Sequence, residues 1–141
     1  MDLKKPFDID KDQYLDDMAF LVLRLGLGFG MLFGHGWGKL MKLFGDEPIQ
    51  FMNFLGIGAT ASLALVVFAE VFCSIAIILG VFTRWACFFL IFTMCVAVFM
   101  VHFGDPFGKV EKGFLYLVGY MALFFAGAGW YSLDARLGRS H

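Results

Sequence analysis

The chain has 141 residues, of which 60% are hydrophobic, 18% aromatic and only 16% charged, and its formal net charge is -1. Soluble globular domains average roughly 45–50% apolar and about 25% charged residues, so this composition excludes an ordinary soluble protein and indicates a membrane protein. The charges form no basic stripe, which excludes a nucleic-acid-binding surface. The length fits one domain of about four membrane-spanning helices.

The first 17 residues, MDLKKPFDIDKDQYLDD, mix acidic and basic side chains and predict a polar N-terminal segment. The apolar run that follows is too long for the hydrophobic region of a secretory signal. We therefore expect the first helix to stay in the mature protein.

The first predicted span, residues 18–40, reads MAFLVLRLGLGFGMLFGHGWGKL. About 23 residues at about 1.5 Å each give about 34 Å, enough to cross the hydrocarbon core. Glycine recurs at every fourth position, at Gly26, Gly30, Gly34 and Gly38. Such a small-xxx-small pattern predicts close packing of another helix. Arg24 and His35 are 11 positions apart and so share one face of the helix within about 20°.

The remaining chain predicts a short interfacial segment and three further spans. Glycines and Pro48 break residues 41–59, whose apolar side chains suit the membrane surface. If this segment folds over the histidine side of the protein, Phe44, Phe51 and Phe54 would form a ligand gate. The further spans are predicted at about residues 60–82, 85–103 and 113–130, and a basic tail at 135–141. The expected fold is an all-α membrane protein, a four-transmembrane-helix bundle covering residues 18–134.

An even number of spans places both termini on one side of the membrane. That side carries six Lys or Arg residues: Lys4, Lys5, Lys11, Arg84, Arg136 and Arg139. The opposite side carries four: Lys39, Lys42, Lys109 and Lys112. The positive-inside rule therefore favours cytoplasmic termini.

Two ionisable residues lie inside the predicted spans, where a charge at the bilayer centre costs about 2.5–3.5 kcal/mol on insertion scales and usually has a partner. Glu70 lies about 18 Å from the side of the termini and Arg24 about 9 Å, on antiparallel helices. An arginine side chain can bridge much of that difference, so the sequence predicts an Arg24–Glu70 pair. The pair would be either a structural ion pair or a proton relay.

A second polar group is predicted near the opposite surface. Its members are His35, His102, Glu111, Tyr116 and Tyr120. Two histidines at similar depth near a carboxylate could hold a metal or a haem, bind a quinone or another small ligand, or simply pack at the interface. None of the dense metal-ligand spacings is present, which disfavours a metal or a haem.

The cysteines indicate no site. Cys73, Cys87 and Cys95 all fall in apolar segments, their number is odd and no C-x-x-C pair exists, so neither a disulfide framework nor a zinc site is predicted. We expect three buried apolar residues.

Three stretches together resemble the DoxX family of small four-span bacterial membrane proteins. They are RLGLGFGMLFGHGWGKL at 24–40, AEVFCSIAIILGVFTRWA at 69–86 and GAGWYSLD at 127–134. The positions that carry the resemblance are Arg24, His35, Gly36, Lys39, Leu40, Glu70, Gly80, Thr83, Arg84, Gly127, Gly129 and Asp134. The resemblance covers about residues 18 to 134.

The resemblance implies a multi-pass protein of the bacterial cytoplasmic membrane. A relative in archaeal sulfur oxidation, DoxD, is a subunit of a thiosulfate:quinone oxidoreductase, and mycobacterial members are linked to a membrane complex that handles thiol and superoxide stress. The resemblance thus implies quinone-coupled redox chemistry or membrane docking of redox partners. Our leading hypothesis is a redox-associated subunit with a quinone site, in which His35 and His102 bind the headgroup while Arg24 and Glu70 supply or relay protons. Whether such a subunit is itself an enzyme is left open.

Two other functions are compatible with the residues. The first is a non-enzymatic scaffold in the lipid bilayer, whose glycine-rich first helix mediates homo-oligomerisation or recruits a redox partner protein. The second is a small-solute or ion transporter, which four short helices without paired discontinuous spans disfavour.

Overall fold

The computed structural model describes residues 9–138, with side chains from residue 12 onward, and these residues fold into helices without strands. Helix α1 consists of Ile9–Met31, Leu32–Gly36 and Trp37–Leu43, and α2 of Ala59–Val67, Phe68–Cys73 and Ser74–Leu79. Helix α3 consists of Thr83–Val96 and Ala97–Val101, α4 is Phe107–Ala126 and α5 is Leu133–Arg136. A short 3₁₀ turn, Phe54–Gly56, lies between α1 and α2.

Each of the first three helices contains one π-helical turn. These turns are Leu32–Gly36 in α1, Phe68–Cys73 in α2 and Ala97–Val101 at the end of α3. A π turn inserts one extra residue and so rotates the following side chains relative to an ideal α-helix. In α1 this rotation brings Gly36, rather than His35, onto the buried face that begins with Arg24.

Four helices share one apolar core. Met31 of α1, Ile77 of α2, Leu90 of α3 and Leu123 of α4 are at most 1% exposed. A smaller cluster of Leu32, Leu63, Val67 and Val71 joins α1 to α2 beneath the interfacial segment. Large apolar side chains cover the outside of the helices, as expected where lipid replaces water.

Three helices are long and apolar enough to cross a membrane among the residues that the structure describes: Asp12–Leu43, Ala59–Leu79 and Thr83–Val101. They correspond to the first three predicted spans. Helix α4 has 20 residues, but Lys109, Glu111 and Lys112 occupy its first two turns. Helix α4 is therefore more polar than the other three helices. Of the four predicted spans, three have the length and apolar composition of a membrane-spanning helix among the described residues.

Several predicted boundaries differ from the observed ones. The N-terminal segment 1–17 is helical from Ile9 onward, while residues 1–8 lie outside the described part, as do residues 139–141 of the predicted basic tail. The backbone N–H of Trp130 donates to Asp17 Oδ1 at 2.8 Å, which ties this polar extension of α1 to the C-terminal loop. The last predicted span, 113–130, ends early at Ala126, because Gly127 leaves the helical conformation.

The predicted tight hairpin between α2 and α3 is present. Helix α2 ends at Gly80, which has a left-handed backbone with φ of 68°, and α3 begins at Thr83. A Cβ atom at Gly80 would collide with Arg24 Nη1 and with Ser132. The turn therefore needs glycine for both conformation and space.

Candidate functional site

An aromatic cleft opens between α2 and α3 at the end of the molecule opposite the Gly80 hairpin. Its volume is about 680 Å³, within the range of sites for small organic ligands. Six phenylalanines line it: Phe51, Phe54, Phe68, Phe88, Phe89 and Phe92. The polar members of its wall include Lys39, Glu70, Ser62, Thr93 and His102. A cleft with apolar walls and a few polar groups suits an amphipathic ligand that arrives from the membrane.

The main polar feature of the cleft is an ion pair between α1 and α2. Lys39 Nζ lies 2.8 Å from Glu70 Oε1 and 2.6 Å from Glu70 Oε2. The Glu70 side chain is 4% exposed, whereas that of Lys39 is 30% exposed. Burial of a carboxylate is costly without a partner, and the bidentate contact with the ammonium group supplies one.

The backbone holds this pair in position. The π turn of α2 contains Glu70, and the π turn of α1 ends at Gly36, directly against the Glu70 carbonyl. No other residue fits at Gly36, because a Cβ atom there would overlap that carbonyl. The third π turn, Ala97–Val101, contributes two of its residues to the cleft. Such turns occur frequently at functional sites, and here the π turns of α2 and α3 line the cavity while that of α1 packs against the Glu70 backbone.

The predicted contact between Arg24 and Glu70 is absent. Arg24 donates instead to the carbonyl oxygens of Ile77, at 3.4 Å, and of Tyr131. The sequence-based depth was wrong because Arg24 lies level with the end of α2, about 10 residues or roughly 15 Å beyond Glu70. The Glu70 carboxylate, as predicted, does have a basic partner, but that partner is Lys39.

Arg24 belongs to a separate polar cluster at the hairpin end. Asp134 accepts the backbone N–H groups of Phe82 and Thr83, both at 2.9 Å, and donates its own N–H to Gly80 O at 2.8 Å. It also interacts electrostatically with the fully buried Arg24. These contacts connect α1, the hairpin and the C-terminal loop, so the cluster has the features of a structural joint.

Only one of the two histidines in the predicted polar group lines the cleft. His102 lines the cleft, and its Nδ1 lies 2.9 Å from Asp105 Oδ2. This hydrogen bond is the main reason why the pKa of Asp105 lies below its usual range. His35 does not line the cleft and instead meets Tyr116 of α4 edge-on, with ring centroids 5.7 Å apart.

The other members of the predicted polar group lie on α4, away from the cleft. Tyr116 stacks on Tyr120 at 5.9 Å, and the Tyr120 hydroxyl donates to Leu27 O at 3.4 Å. Glu111 is exposed on the second turn of this helix. The structure therefore brings together His35, Tyr116 and Tyr120, but not the whole predicted group around one ligand.

The glycines of α1 divide into contact and open positions. Gly26, Gly34 and Gly38 have open space where a side chain would be, and Gly30 lies against the Tyr116 hydroxyl. The close approach to α2 is made by Gly28 and Gly36 instead. Of the predicted packing face, only Gly30 is thus in close contact within the chain.

Sequence reasoning missed Lys39 as the partner of Glu70 and missed the aromatic wall of α3. The available signal was that Lys39 lies inside the first predicted span, four residues after His35, while the acid Glu70 lies inside another span and needs a partner. The run of phenylalanines at 88, 89 and 92 looks like ordinary lipid-facing sequence. Phe51 and Phe54 of the suggested gate do line the cleft, whereas Phe44 is 79% exposed and does not.

The fold and the buried charges define a helical membrane protein of the multi-pass class. The DoxX family model matches residues 19–103, more than half of the chain, which include α1 from Ala19, α2, α3 and the whole Lys39–Glu70 site. The chain belongs to the DoxX family. No curated protein and no solved structure matches it.

Proposed function

We propose that this protein is a redox-associated subunit of the bacterial cytoplasmic membrane that binds a quinone in the aromatic cleft. The observation that carries the proposal is the combination of an apolar cavity of about 680 Å³ with a buried acid–base pair at its wall. A quinone has an apolar tail, a flat ring and two carbonyl oxygens that accept hydrogen bonds. The cleft offers a matching chemical group for each of these parts.

The polar wall would hold the headgroup. The Lys39 ammonium group has three N–H donors. Two of them donate to the Glu70 oxygens, so the third can donate to a ligand carbonyl. As an imidazolium, His102 donates its Nδ1–H to Asp105 and has its Nε2–H to donate to a second carbonyl. Aromatic rings such as Phe89 and Phe92 would stack on the quinone ring.

Quinone reduction consumes two electrons and two protons. In this proposal the electrons come from a partner redox protein that docks on the membrane surface. Glu70 supplies protons at the headgroup, and Arg24 keeps the structural role that its contacts with Tyr131 and Asp134 support. This assignment replaces the predicted proton relay between Arg24 and Glu70.

We further propose four spans with cytoplasmic termini. Helix α4 packs between α1 and α3 and shares their core, so it would cross the membrane with its charged first turns at the far surface. The excess of basic residues on the side of the termini supports this orientation.

Thermal unfolding of the purified protein in detergent tests the quinone site. Short-tailed ubiquinone and menaquinone analogues should raise Tm, because a ligand that binds only the folded state stabilises it. Ala97→Phe, which fills the cleft, should abolish the shift, while Ala122→Phe on the exposed side of α4 should leave it intact. No shift with any analogue would refute the site.

The scaffold function remains a second candidate, favoured by one observation. Gly26, Gly34 and Gly38 are exposed and leave open space beside α1, so a second helix could approach there. Gly34→Leu should then lower the oligomeric state in lipid nanodiscs, while Glu70→Gln should not. An unchanged oligomeric state in Gly34→Leu and Gly26→Leu would remove this candidate.

A further inference from the structure

His35 lies near the Lys39–Glu70 pair but outside the cleft. It belongs to the π turn whose last residue, Gly36, packs on the Glu70 backbone. Its ring faces α4, where it meets Tyr116. The imidazole is half-buried and does not line the cleft. It is therefore close to the buried acid without competing for the ligand position.

Four titratable or charged groups surround His35. Glu70 of α2, Lys39 of α1 and Lys112 of α4 interact with it electrostatically, and Tyr116 of α4 contacts its ring. Lys112 is exposed at the polar beginning of α4. His35 thus lies between a hydrated end of the bundle and a carboxylate that is 4% exposed.

The cleft beside Glu70 is walled mainly by phenylalanines, which offer water no hydrogen-bond partners. Protons therefore need another route to the carboxylate whether or not a ligand is bound, and the groups around His35 provide one. Imidazole can take a proton at one ring nitrogen and release one from the other, so it transfers protons without a net change in charge and recovers its starting tautomer by a ring flip or by proton exchange with water.

We propose that His35 is the proton-transfer residue that connects the aqueous surface at the beginning of α4 with Glu70. A proton passes from water to the imidazole and from the imidazole to the Glu70 carboxylate, and each acceptor returns to its starting state after passing its proton on. The inference deepens the proposed function, on which it rests only for the identity of the final proton acceptor in the cleft.

The test uses ligand-free protein, so its result is independent of quinone binding. Time-resolved infrared spectroscopy after an acid pH jump follows the protonation of Glu70, and the carboxyl band is assigned by its loss in Glu70→Gln. His35→Gln should slow protonation by about 100-fold or more, the lower end of what general acid–base catalysis contributes. Trp37→Phe, an exposed residue of the same helix, should leave the rate unchanged.

Chemical rescue separates proton transfer from a structural effect. Free imidazole added to His35→Gln should restore the rate in proportion to its concentration, while the wild-type rate stays constant. An unchanged rate in His35→Gln would overturn the proposal, and so would a slowed rate that imidazole does not restore. A failed quinone shift together with imidazole rescue would remove the proposed ligand but keep the role of His35.

Discussion

Glu70 is the residue around which the site is built. It is almost fully buried in a membrane protein, both of its oxygens contact Lys39, and its backbone carbonyl lies directly against Gly36 of α1. The sequence could predict that this acid needs a basic partner, because any unpaired charge inside an apolar span is costly. It could not predict which base, because that depends on the register of α1 and α2.

Removal of Lys39 should destabilise the protein. Lys39→Met leaves the Glu70 carboxylate buried without its partner and should lower the free energy of unfolding by about 2 kcal/mol, less than the 3–5 kcal/mol of a fully buried pair because Lys39 is partly exposed. Lys39→Met/Glu70→Met should recover most of the loss. Reversible unfolding in mixed micelles measures both, with the exposed Lys42→Met as control. A double variant no more stable than Lys39→Met would contradict the pairing.

The Asp105 carboxylate should report its contact with His102. Because its pKa is lowered in the folded protein, the contact stabilises the fold at neutral pH and loses that effect as the pH falls through the lowered pKa. His102→Ala should raise the pKa of Asp105 towards its usual range. Carboxyl ¹³C NMR of the labelled protein measures this, and identical Asp105 titrations in both proteins would exclude the contact in solution.

At the scale of the helices, apolar length and glycine positions were sufficient to predict the first three spans and the hairpin. Hydropathy follows composition, and Gly80 marks a turn by its chemistry. The three π turns were not predictable, because a π turn depends on how neighbouring helices pack and has no residue preference strong enough to read in one sequence. The rotation of α1 explains why Gly36, rather than Gly34 or Gly38, contacts α2, whereas Gly28 lies before the π turn and contacts α2 without it.

The Gly80 hairpin should tolerate no side chain. Gly80→Ala combines a left-handed backbone with a collision against Arg24 and should cost clearly more than about 1–2 kcal/mol of folding free energy. Gly104→Ala is the matched control, since Gly104 also has a positive φ but open space around it, so only backbone strain remains. Equal losses of stability in the two variants would show that the crowding at Arg24 contributes nothing.

The interfacial segment between α1 and α2 should act as the lid of the cleft. Phe54 meets Phe92 of α3 edge-on at 6.2 Å, and the Phe54 N–H donates to Ser62 Oγ at 2.9 Å. Phe54→Ala should speed the dissociation of a bound quinone analogue severalfold, measured by stopped-flow displacement. Phe44→Ala, a highly exposed residue of the same connection, should leave the rate unchanged, and equal rates in all three proteins would argue against a lid.

At the scale of the whole molecule, the residues that carry the family resemblance fall into two groups. Arg24, Gly80 and Asp134 form the structural joint at the hairpin end, whereas Lys39 and Glu70 form the wall of the cleft. The sequence indicated all of these residues, but it could not separate the two groups. Their separation of roughly 15 Å along α2 is a property of the helix register and became visible only in the folded chain.

The most direct test of the central claim is native mass spectrometry of the protein released gently from its own membrane. The wild type and Ala122→Phe should carry a quinone-sized adduct whose identity solvent extraction confirms, and Ala97→Phe should lack it, since the introduced aromatic ring would occupy the aromatic cleft. The same quinone on all three proteins would place binding outside the cleft. Wild-type protein free of quinone, in membranes that contain it, would contradict the proposed function.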